Sequence, residues 1–188
     1  MSEDEIYGGI KKCCFTGYRP SKFPFSLSRG NNSYEKFENA VLSEILSLVK
    51  SGCRTFYSGM AMGFDIIAAE LVLTLKSAYN FKDIKLICVL PYRGQDESFS
   101  FPWRERFDNI LSACDEKIVL SEEYHSGCYQ QRNKFMVDSS DCVLTWYDGR
   151  AGGTRNTIDY ALRKKRFVIN TFEKNIDGFG IQTSFEVI

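Results

Sequence analysis

The stretch that decides the fold reads Arg132-Asn133-Lys134-Phe135-Met136-Val137-Asp138-Ser139-Ser140-Asp141, followed by Cys142-Val143-Leu144-Thr145-Trp146-Tyr147. The first part has the composition of a helix, and the second is an apolar run typical of a buried strand. After a short loop, Gly152-Gly153-Thr154 opens another helix. The first backbone N–H groups of a helix have no partners inside it, and glycine lets a ligand approach them closely. This strand, glycine loop and helix therefore predict an anion-binding turn at Gly152–Thr154.

Strands and helices alternate along the rest of the chain. We predict strands at Lys12–Thr16, Arg54–Ser58, Ile84–Leu90, Lys117–Leu120, Cys142–Tyr147 and Phe167–Asn170. We predict helices at Tyr34–Lys50, Gly63–Lys76, Phe101–Cys114, Gly127–Asp138 and Thr154–Lys165. Apolar strands that alternate with helices form parallel sheets covered on both faces. The sequence therefore predicts an α/β fold with a single doubly wound, mainly parallel sheet of Rossmann-like type and helices on both faces.

Length and composition are those of one globular domain. The chain has 188 residues, of which 44% are apolar and 26% charged, enough for a single core. We expect one domain over residues 1–188, with a core from about 12 to 170 and a C-terminal tail or edge element over 173–188. We expect no secretion signal, and the sequence has no bilayer-spanning apolar run and no Cys-x-x-Cys pair among its seven cysteines. We therefore expect a cytoplasmic protein with no metal site, no membrane partner and no required cofactor.

Doubly wound folds bind ligands at the carboxyl ends of their strands, near the switch in strand order. The first strand is followed by Thr16, Gly17, Tyr18 and Arg19. Arginine can form paired hydrogen bonds with a phosphate, and tyrosine can stack on a base. The alternative is an ordinary turn with a surface arginine. We include all four residues in the predicted ligand site.

The next two strands are also followed by candidate residues. The loop after the second strand holds Ser58, Gly59, Gly63 and Asp65, but it lacks the spacing of a dinucleotide fingerprint. A carboxylate in the first helical turn would repel a phosphate, so we expect Asp65 to make a ribose or structural contact. After the third strand, Gln95 is placed to read a base or sugar edge.

The strongest phosphate candidate lies near the end of the chain. At Gly152, Gly153 and Thr154, helix N–H donors, glycine and a hydroxyl group coincide. The alternative is an ordinary glycine turn with Thr154 as the N-cap. Arg132 and Asn133 occupy a helix that points to the same edge of the sheet. We expect the two arginine-bearing segments and this turn to share one crevice that attracts negative charge.

Five segments in this order resemble the SLOG superfamily, and within it the YpsA-like proteins. They are Thr16–Pro20, Ser58–Glu70, Pro91–Gln95, Arg132–Asp141 and Tyr147–Thr154. The resemblance extends over nearly the whole chain, and the superfamily also includes the Lonely-guy and DprA proteins. It implies a nucleotide or nucleotide-derived ligand, similar to NAD or ADP-ribose, at the strand ends. The YpsA-like branch also implies a regulatory role in bacterial cell division or stress.

The resemblance to Lonely-guy proteins implies an alternative activity, hydrolysis of the N-glycosidic bond of a nucleoside monophosphate. Those proteins use an Arg-x-x-x-Met segment, which Arg132 and Met136 match, and a glutamate three residues after a Gly-Thr pair. Here that glutamate position is Thr157. A threonine supplies no carboxylate to an oxocarbenium-like centre. We therefore expect a nucleotide-binding or sensing protein. In the hydrolase alternative Arg132 orients the substrate, and Asp138 or Asp159 is a candidate acid.

Charge limits the partners. The formal net charge is zero, so electrostatics gives no case for general nucleic-acid binding. We expect a small-molecule nucleotide as the ligand. A homo-oligomer, and an interaction protein with a regulatory pocket, are left open.

Overall fold

The computed structural model describes residues 7–172, in which six strands and five α-helices alternate. The strands are β1 (Lys12–Gly17), β2 (Thr55–Ser58), β3 (Lys85–Leu90), β4 (Glu116–Val119), β5 (Cys142–Trp146) and β6 (Phe167–Asn170). The helices are α1 (Asn32–Lys50), α2 (Phe64–Ala78), α3 (Phe101–Ala113), α4 (Cys128–Asp138) and α5 (Gly153–Arg163). Every predicted element is present, with its ends within two residues of the prediction. The predicted tail over 173–188 lies outside the described residues.

The six strands form one sheet in the order β4-β3-β2-β1-β5-β6, and each neighbouring pair in it is parallel. The predicted α/β fold is therefore confirmed. From β1 the chain builds outward through β2, β3 and β4, and then returns to place β5 on the other side of β1. The strand order thus reverses between β1 and β5. The loops that follow these two strands diverge, and a crevice opens between them at the carboxyl edge of the sheet.

Helices cover both faces of the sheet. On one face α1 packs on α2 and α2 on α3, and on the other α4 packs on α5. Successive residues of a strand point to opposite faces, so Phe15 joins the larger apolar core and Cys14 the smaller one. In the smaller core, Met136 and Val137 of α4 and Ala161 of α5 pack against the strands. This packing fixes the starts of α4 and α5 beside the crevice.

The cysteines behave as small apolar residues, as free cysteine usually does in a core. All seven are unbridged, and six of them are buried. Between residues 7 and 172, no helix is both long enough and apolar enough to cross a bilayer.

Candidate functional site

A cleft of about 270 Å³ opens at the carboxyl edge of the sheet, where the loops after β1 and β5 diverge. Nine of the predicted ligand-binding residues line this switch-point cleft: Thr16, Gly17, Tyr18, Arg19, Asp65, Arg132, Asn133, Gly153 and Thr154. Ser21, Lys22, Ala61 and Tyr129 complete its lining. The fold therefore brings both arginines and the start of α5 to a single cleft, although they lie far apart in the sequence.

Arg132 of α4 lies at the base of the cleft and is only 4% exposed. Its Nη1 donates a hydrogen bond to the carbonyl of Gly59, and its Nε donates to Asn133 Oδ1 at 2.8 Å. A methyl group on Gly59 would overlap the guanidinium, so this loop needs glycine to let the arginine pass. Burial lowers the pKa of Arg132, while the charge of Asp65 opposes that shift. Within residues 7–172, Arg132 forms no ion pair with a carboxylate.

Asp65 supplies the one carboxylate among the residues that line the cleft. It lies in the first turn of α2 and is 5% exposed. Burial raises its pKa from 3.8 to about 6, although Arg132, the Ala61 backbone N–H and Arg19 pull it downward. Asp65 is thus mostly ionised at pH 7 and mostly neutral at pH 5. Because Arg19, Lys22 and Arg132 line the cleft together with this single acid, the cleft carries a net positive charge at either pH.

The start of α5 forms one wall of the cleft. Gly152 is its N-cap, with a φ of 147°, and no described side chain caps the helix. Thr154 is therefore not the N-cap, contrary to the alternative weighed from the sequence. Its Oγ1 instead donates to the carbonyl of Gly17 at 3.1 Å, which ties α5 to the end of β1. The ammonium of Lys22 lies close beside Gly152. Helix N–H donors and a lysine thus converge on one place, although Gly152 does not itself line the cleft.

A chain of hydrogen bonds connects α4 to α5 beneath the cleft. Asn133 accepts from Arg132, and its Nδ2 donates to Thr157 Oγ1 at 2.9 Å. Thr157 Oγ1 donates in turn to the carbonyl of Gly153 at 2.9 Å. Thr157, which occupies the position of the Lonely-guy glutamate, is 3% exposed and has a structural role in this network.

The two acids suggested for the hydrolase alternative do not line the cleft. Asp138 pairs with Lys164 at 2.9 Å, and Asp159 pairs with Arg155 at 2.8 Å, one turn along α5. In the part of the chain that the structure describes, no group of three or more His, Cys, Asp or Glu side chains is arranged to hold a metal ion.

Tyr18 borders the cleft but does not present its ring to a ligand. The side chain is 1% exposed, and its ring packs edge-on against Trp146 at 5.7 Å and Tyr147 at 5.9 Å. Its hydroxyl donates to Asp148. The predicted role of Tyr18 in base stacking is therefore wrong, because the aromatic core at the end of β5 buries the ring.

Four other predicted residues lie in or against the turn between β2 and α2, outside the cleft lining. Ser58 Oγ donates to the Asp65 carbonyl at 2.9 Å and accepts the Met60 N–H at 3.1 Å. Gln95 is 2% exposed, and its Nε2 donates to the Met60 carbonyl at 2.7 Å, so it holds this loop and does not read a base or sugar edge. Gly63 has a φ of 96° and lies against the carbonyl of Tyr18. Together with Gly59, these residues fix the β2–α2 turn and lie outside the cleft lining.

Tyr129 and Lys22 line the cleft, and sequence reasoning missed both. The Tyr129 ring lies 5.9 Å from the guanidinium carbon of Arg19 and 6.0 Å from that of Arg132. Tyr129 precedes Arg132 by three residues, a spacing that places both on one face of a helix and could have identified it. Lys22 ends a short 3-10 helix, Pro20–Lys22, in the segment after β1, where the sequence has no periodicity to show which way a side chain points.

A doubly wound parallel sheet whose strand order reverses beside a cleft defines a protein of Rossmann-like fold. The model of the YpsA family, described as the YspA SLOG family, matches residues 13–175. The chain belongs to this family, and the resemblance stated from the sequence is confirmed.

The chain is also similar to individual relatives and solved structures. The uncharacterized SPbeta prophage-derived protein YoqJ of Bacillus subtilis is 31% identical over 134 residues, 65% of this chain and 76% of YoqJ. DNA processing protein A (DprA) from Streptococcus pneumoniae superposes with a TM-score of 0.56 at 19% identity, over 85% of this chain and 50% of that one. DprA from Helicobacter pylori, described for its single-stranded DNA binding mode, superposes with a TM-score of 0.56 at 17% identity, over 88% and 67%. At such identities the two superpositions show a shared fold. This chain spans half the length of the Streptococcus protein.

Proposed function

We propose that the switch-point cleft binds the phosphate of a nucleotide or nucleotide-derived ligand, and that the protein acts by binding or sensing it. The observation that carries this proposal is Arg132, a buried guanidinium without an ion-pair partner among the described residues. A buried guanidinium that no carboxylate contacts is costly to desolvate, and an anion beside it would offset that cost. The uncapped start of α5 offers backbone donors to the same anion.

The residues around the cleft would contribute to phosphate binding in different ways. Arg132 and the first N–H groups of α5 would hold the phosphate at the base of the cleft. Arg19 and Lys22 are exposed at its rim, where their charges would attract the anion from solvent. Asp65 would accept a hydrogen bond from a sugar hydroxyl, which gives the carboxylate a function beside the phosphate. A regulatory role in cell division or stress would follow if occupancy of the cleft changed the contacts of the protein with a partner.

Titration calorimetry tests the binding. The panel contains pyrophosphate, ribose 5-phosphate, AMP, NAD, ADP-ribose and a short single-stranded DNA, with thermal unfolding as a second measurement. A ligand at one hundred times its dissociation constant adds about 2.7 kcal/mol of stability. Arg19→Ala should weaken binding severalfold, most strongly at low salt, since it removes a positive charge from the exposed rim of the cleft.

Arg93→Ala is the matched control. Arg93 is an exposed arginine at the same edge of the sheet, but it pairs with Glu122 at 2.7 Å and does not line the cleft. Its removal should leave binding unchanged. Absence of binding and of any thermal shift across the whole panel would refute the proposal. Binding of the DNA alone would instead assign the cleft to a strand and not to a small molecule.

A second candidate is hydrolysis of the N-glycosidic bond of a nucleoside monophosphate, and the position of Asp65 favours it. This buried carboxyl group lies in the cleft with Arg132, with a pKa of about 6 that suits proton transfer near neutral pH. In this reaction water adds to C1′ of the ribose, and the base departs with a proton to leave ribose 5-phosphate. Chromatography would detect free adenine from AMP, and Asp65→Asn should abolish its release. If the wild-type protein releases no base, this candidate is excluded while the binding proposal stands.

A further inference from the structure

Three tyrosines from separate segments meet at the carboxyl edge of the sheet. Tyr92 follows β3, Tyr124 follows β4, and Tyr129 lies in the first turn of α4. The centroid of the Tyr92 ring lies 5.4 Å from that of Tyr124 and 6.0 Å from that of Tyr129, both in edge-to-face geometry. The Tyr124 and Tyr129 rings are 6.5 Å apart. We call these three residues the tyrosine cluster.

Backbone hydrogen bonds hold the segments that carry the cluster. The Arg93 N–H donates to the Ser121 carbonyl at 3.1 Å, which joins the loop after β3 to the loop after β4. The Cys128 N–H donates to the His125 carbonyl at 3.1 Å, which joins the second loop to the start of α4. Tyr124 is therefore presented by a short loop that is tied at both ends.

Exposure differs sharply within the cluster. Tyr92 and Tyr129 are half-buried, and their hydroxyl oxygens lie 3.3 Å apart. Tyr124 is 64% exposed, among the most exposed large apolar side chains of residues 7–172. Its neighbours meet it at an angle, so they hold the ring in place without covering it. An aromatic ring held in this way offers a flat face at a low entropic cost of binding.

The cluster is continuous with the switch-point cleft. Tyr129 lines that cleft, and its ring lies about 6 Å from the guanidinium carbons of Arg19 and Arg132. A ligand that reaches from the cleft to Tyr124 therefore meets cations at one end and an aromatic face at the other. Aromatic side chains beside a cationic groove are the usual means of binding a nucleobase together with its phosphate.

We propose that Tyr124, supported by Tyr92 and Tyr129, stacks on the nucleobase of a nucleotide whose phosphate occupies the switch-point cleft. This inference rests on the proposed function and adds the place of the base to it. Every base has a π-face, so stacking on one tyrosine discriminates weakly between bases. The site therefore takes purine and pyrimidine nucleoside monophosphates alike, and the base adds affinity more than specificity.

Calorimetric titrations with AMP and ribose 5-phosphate test the inference, because the two ligands share a phosphate and a sugar and differ by the base. Wild-type protein should bind AMP more tightly than ribose 5-phosphate. Tyr124→Ala should weaken AMP binding about 5- to 150-fold, the range of one base–aromatic stack, and leave ribose 5-phosphate unchanged. Tyr124→Phe, which keeps the ring, should retain AMP affinity.

Tyr79→Ala is the matched control. Tyr79 is a tyrosine of similar exposure, 58%, at the C-terminal end of α2 and thus at the opposite edge of the sheet. Its removal should change neither affinity. Unchanged AMP binding in Tyr124→Ala would overturn the stacking inference while the phosphate proposal stands. Equal loss of AMP and ribose 5-phosphate would also overturn it, since the ring would then support the fold. Failure of both ligands to bind the wild type would overturn this inference, and the proposed function would fall with it only if the rest of the panel also failed to bind.

Discussion

Asp65→Asn should stabilise the protein above pH 6, although it neutralises a charge near two arginines. Burial raises the pKa of Asp65 from 3.8 to about 6, against the pull of Arg132, Ala61 N–H and Arg19. The folded state therefore binds this proton more tightly than the unfolded chain does. The stability that Asp65 contributes is fully present below pH 4 and is lost as the pH rises to about 6. Asparagine has nearly the same shape, carries no charge and keeps an oxygen that can accept the Ala61 N–H.

The size of the effect follows from the shift. A difference of about 2 pH units at 1.36 kcal/mol each amounts to about 3 kcal/mol at pH 8. For a chain of this length that is about 6–12 °C in the unfolding midpoint. At pH 4 the carboxyl group is neutral in the folded state and about half ionised in the unfolded chain, so little of the difference in stability between variant and wild type should remain.

Urea unfolding of both proteins from pH 4 to pH 8 measures the difference. Asp115→Asn is a control of opposite sign. Burial raises the pKa of Asp115, but hydrogen bonds from Lys76 and the Leu86 N–H outweigh it, and its pKa lies below the ordinary value. Its neutralisation should destabilise the protein at pH 7 and matter less in acid. Equal free energies of unfolding for Asp65→Asn and wild type at every pH would refute the argument.

Three further predictions concern the residues beneath the cleft. Gly59→Ala should destabilise the protein by about 1–3 kcal/mol in urea and weaken pyrophosphate binding, because the added methyl group overlaps the Arg132 guanidinium. Gly153 has open space around it, so Gly153→Ala should leave the urea midpoint unchanged. Similar urea midpoints for Gly59→Ala and Gly153→Ala would contradict the steric argument. Thr157→Val should cost about 1–3 kcal/mol of unfolding free energy, since it leaves the Asn133 amide without its acceptor, and Thr157→Ser should restore it. Sulfate keeps the same charge between pH 5 and pH 7.5, so it should bind the wild type more tightly at pH 5, where Asp65 is mostly neutral. Asp65→Asn should show no such pH dependence of sulfate binding. The same pH dependence in both proteins would refute this prediction.

Much of the fold is readable from the sequence because its determinants are local. The apolar run at Cys142–Trp146 and the periodic pattern of α1 specify a strand and a helix without reference to distant residues. The two glycines at the start of α5 can also be read directly from the sequence. The alternation of strands and helices along the chain implies a parallel sheet. The convergence of strand ends then follows from topology, which is why most of the predicted residues line one cleft.

The orientation of individual side chains was decided by contacts between segments far apart in the chain. Tyr18 follows a strand as a stacking residue would, yet Trp146, Tyr147 and Asp148 from β5 and its loop bury it. Gln95 turns to a carbonyl 35 residues away, at Met60, and so holds a loop.

The sequence by itself determined the elements, their alternation and the edge of the sheet where a ligand would bind, since periodicity and glycine act over a few residues. Only the tertiary structure decided that Arg132 passes beside Gly59, 73 residues away, and that Tyr129 and Lys22 complete the cleft. It also placed the one cleft carboxylate at Asp65. The reason is physical: burial, charge pairing and pKa depend on neighbours in space, and those neighbours are set by the packing of α2, α4 and α5 around the sheet.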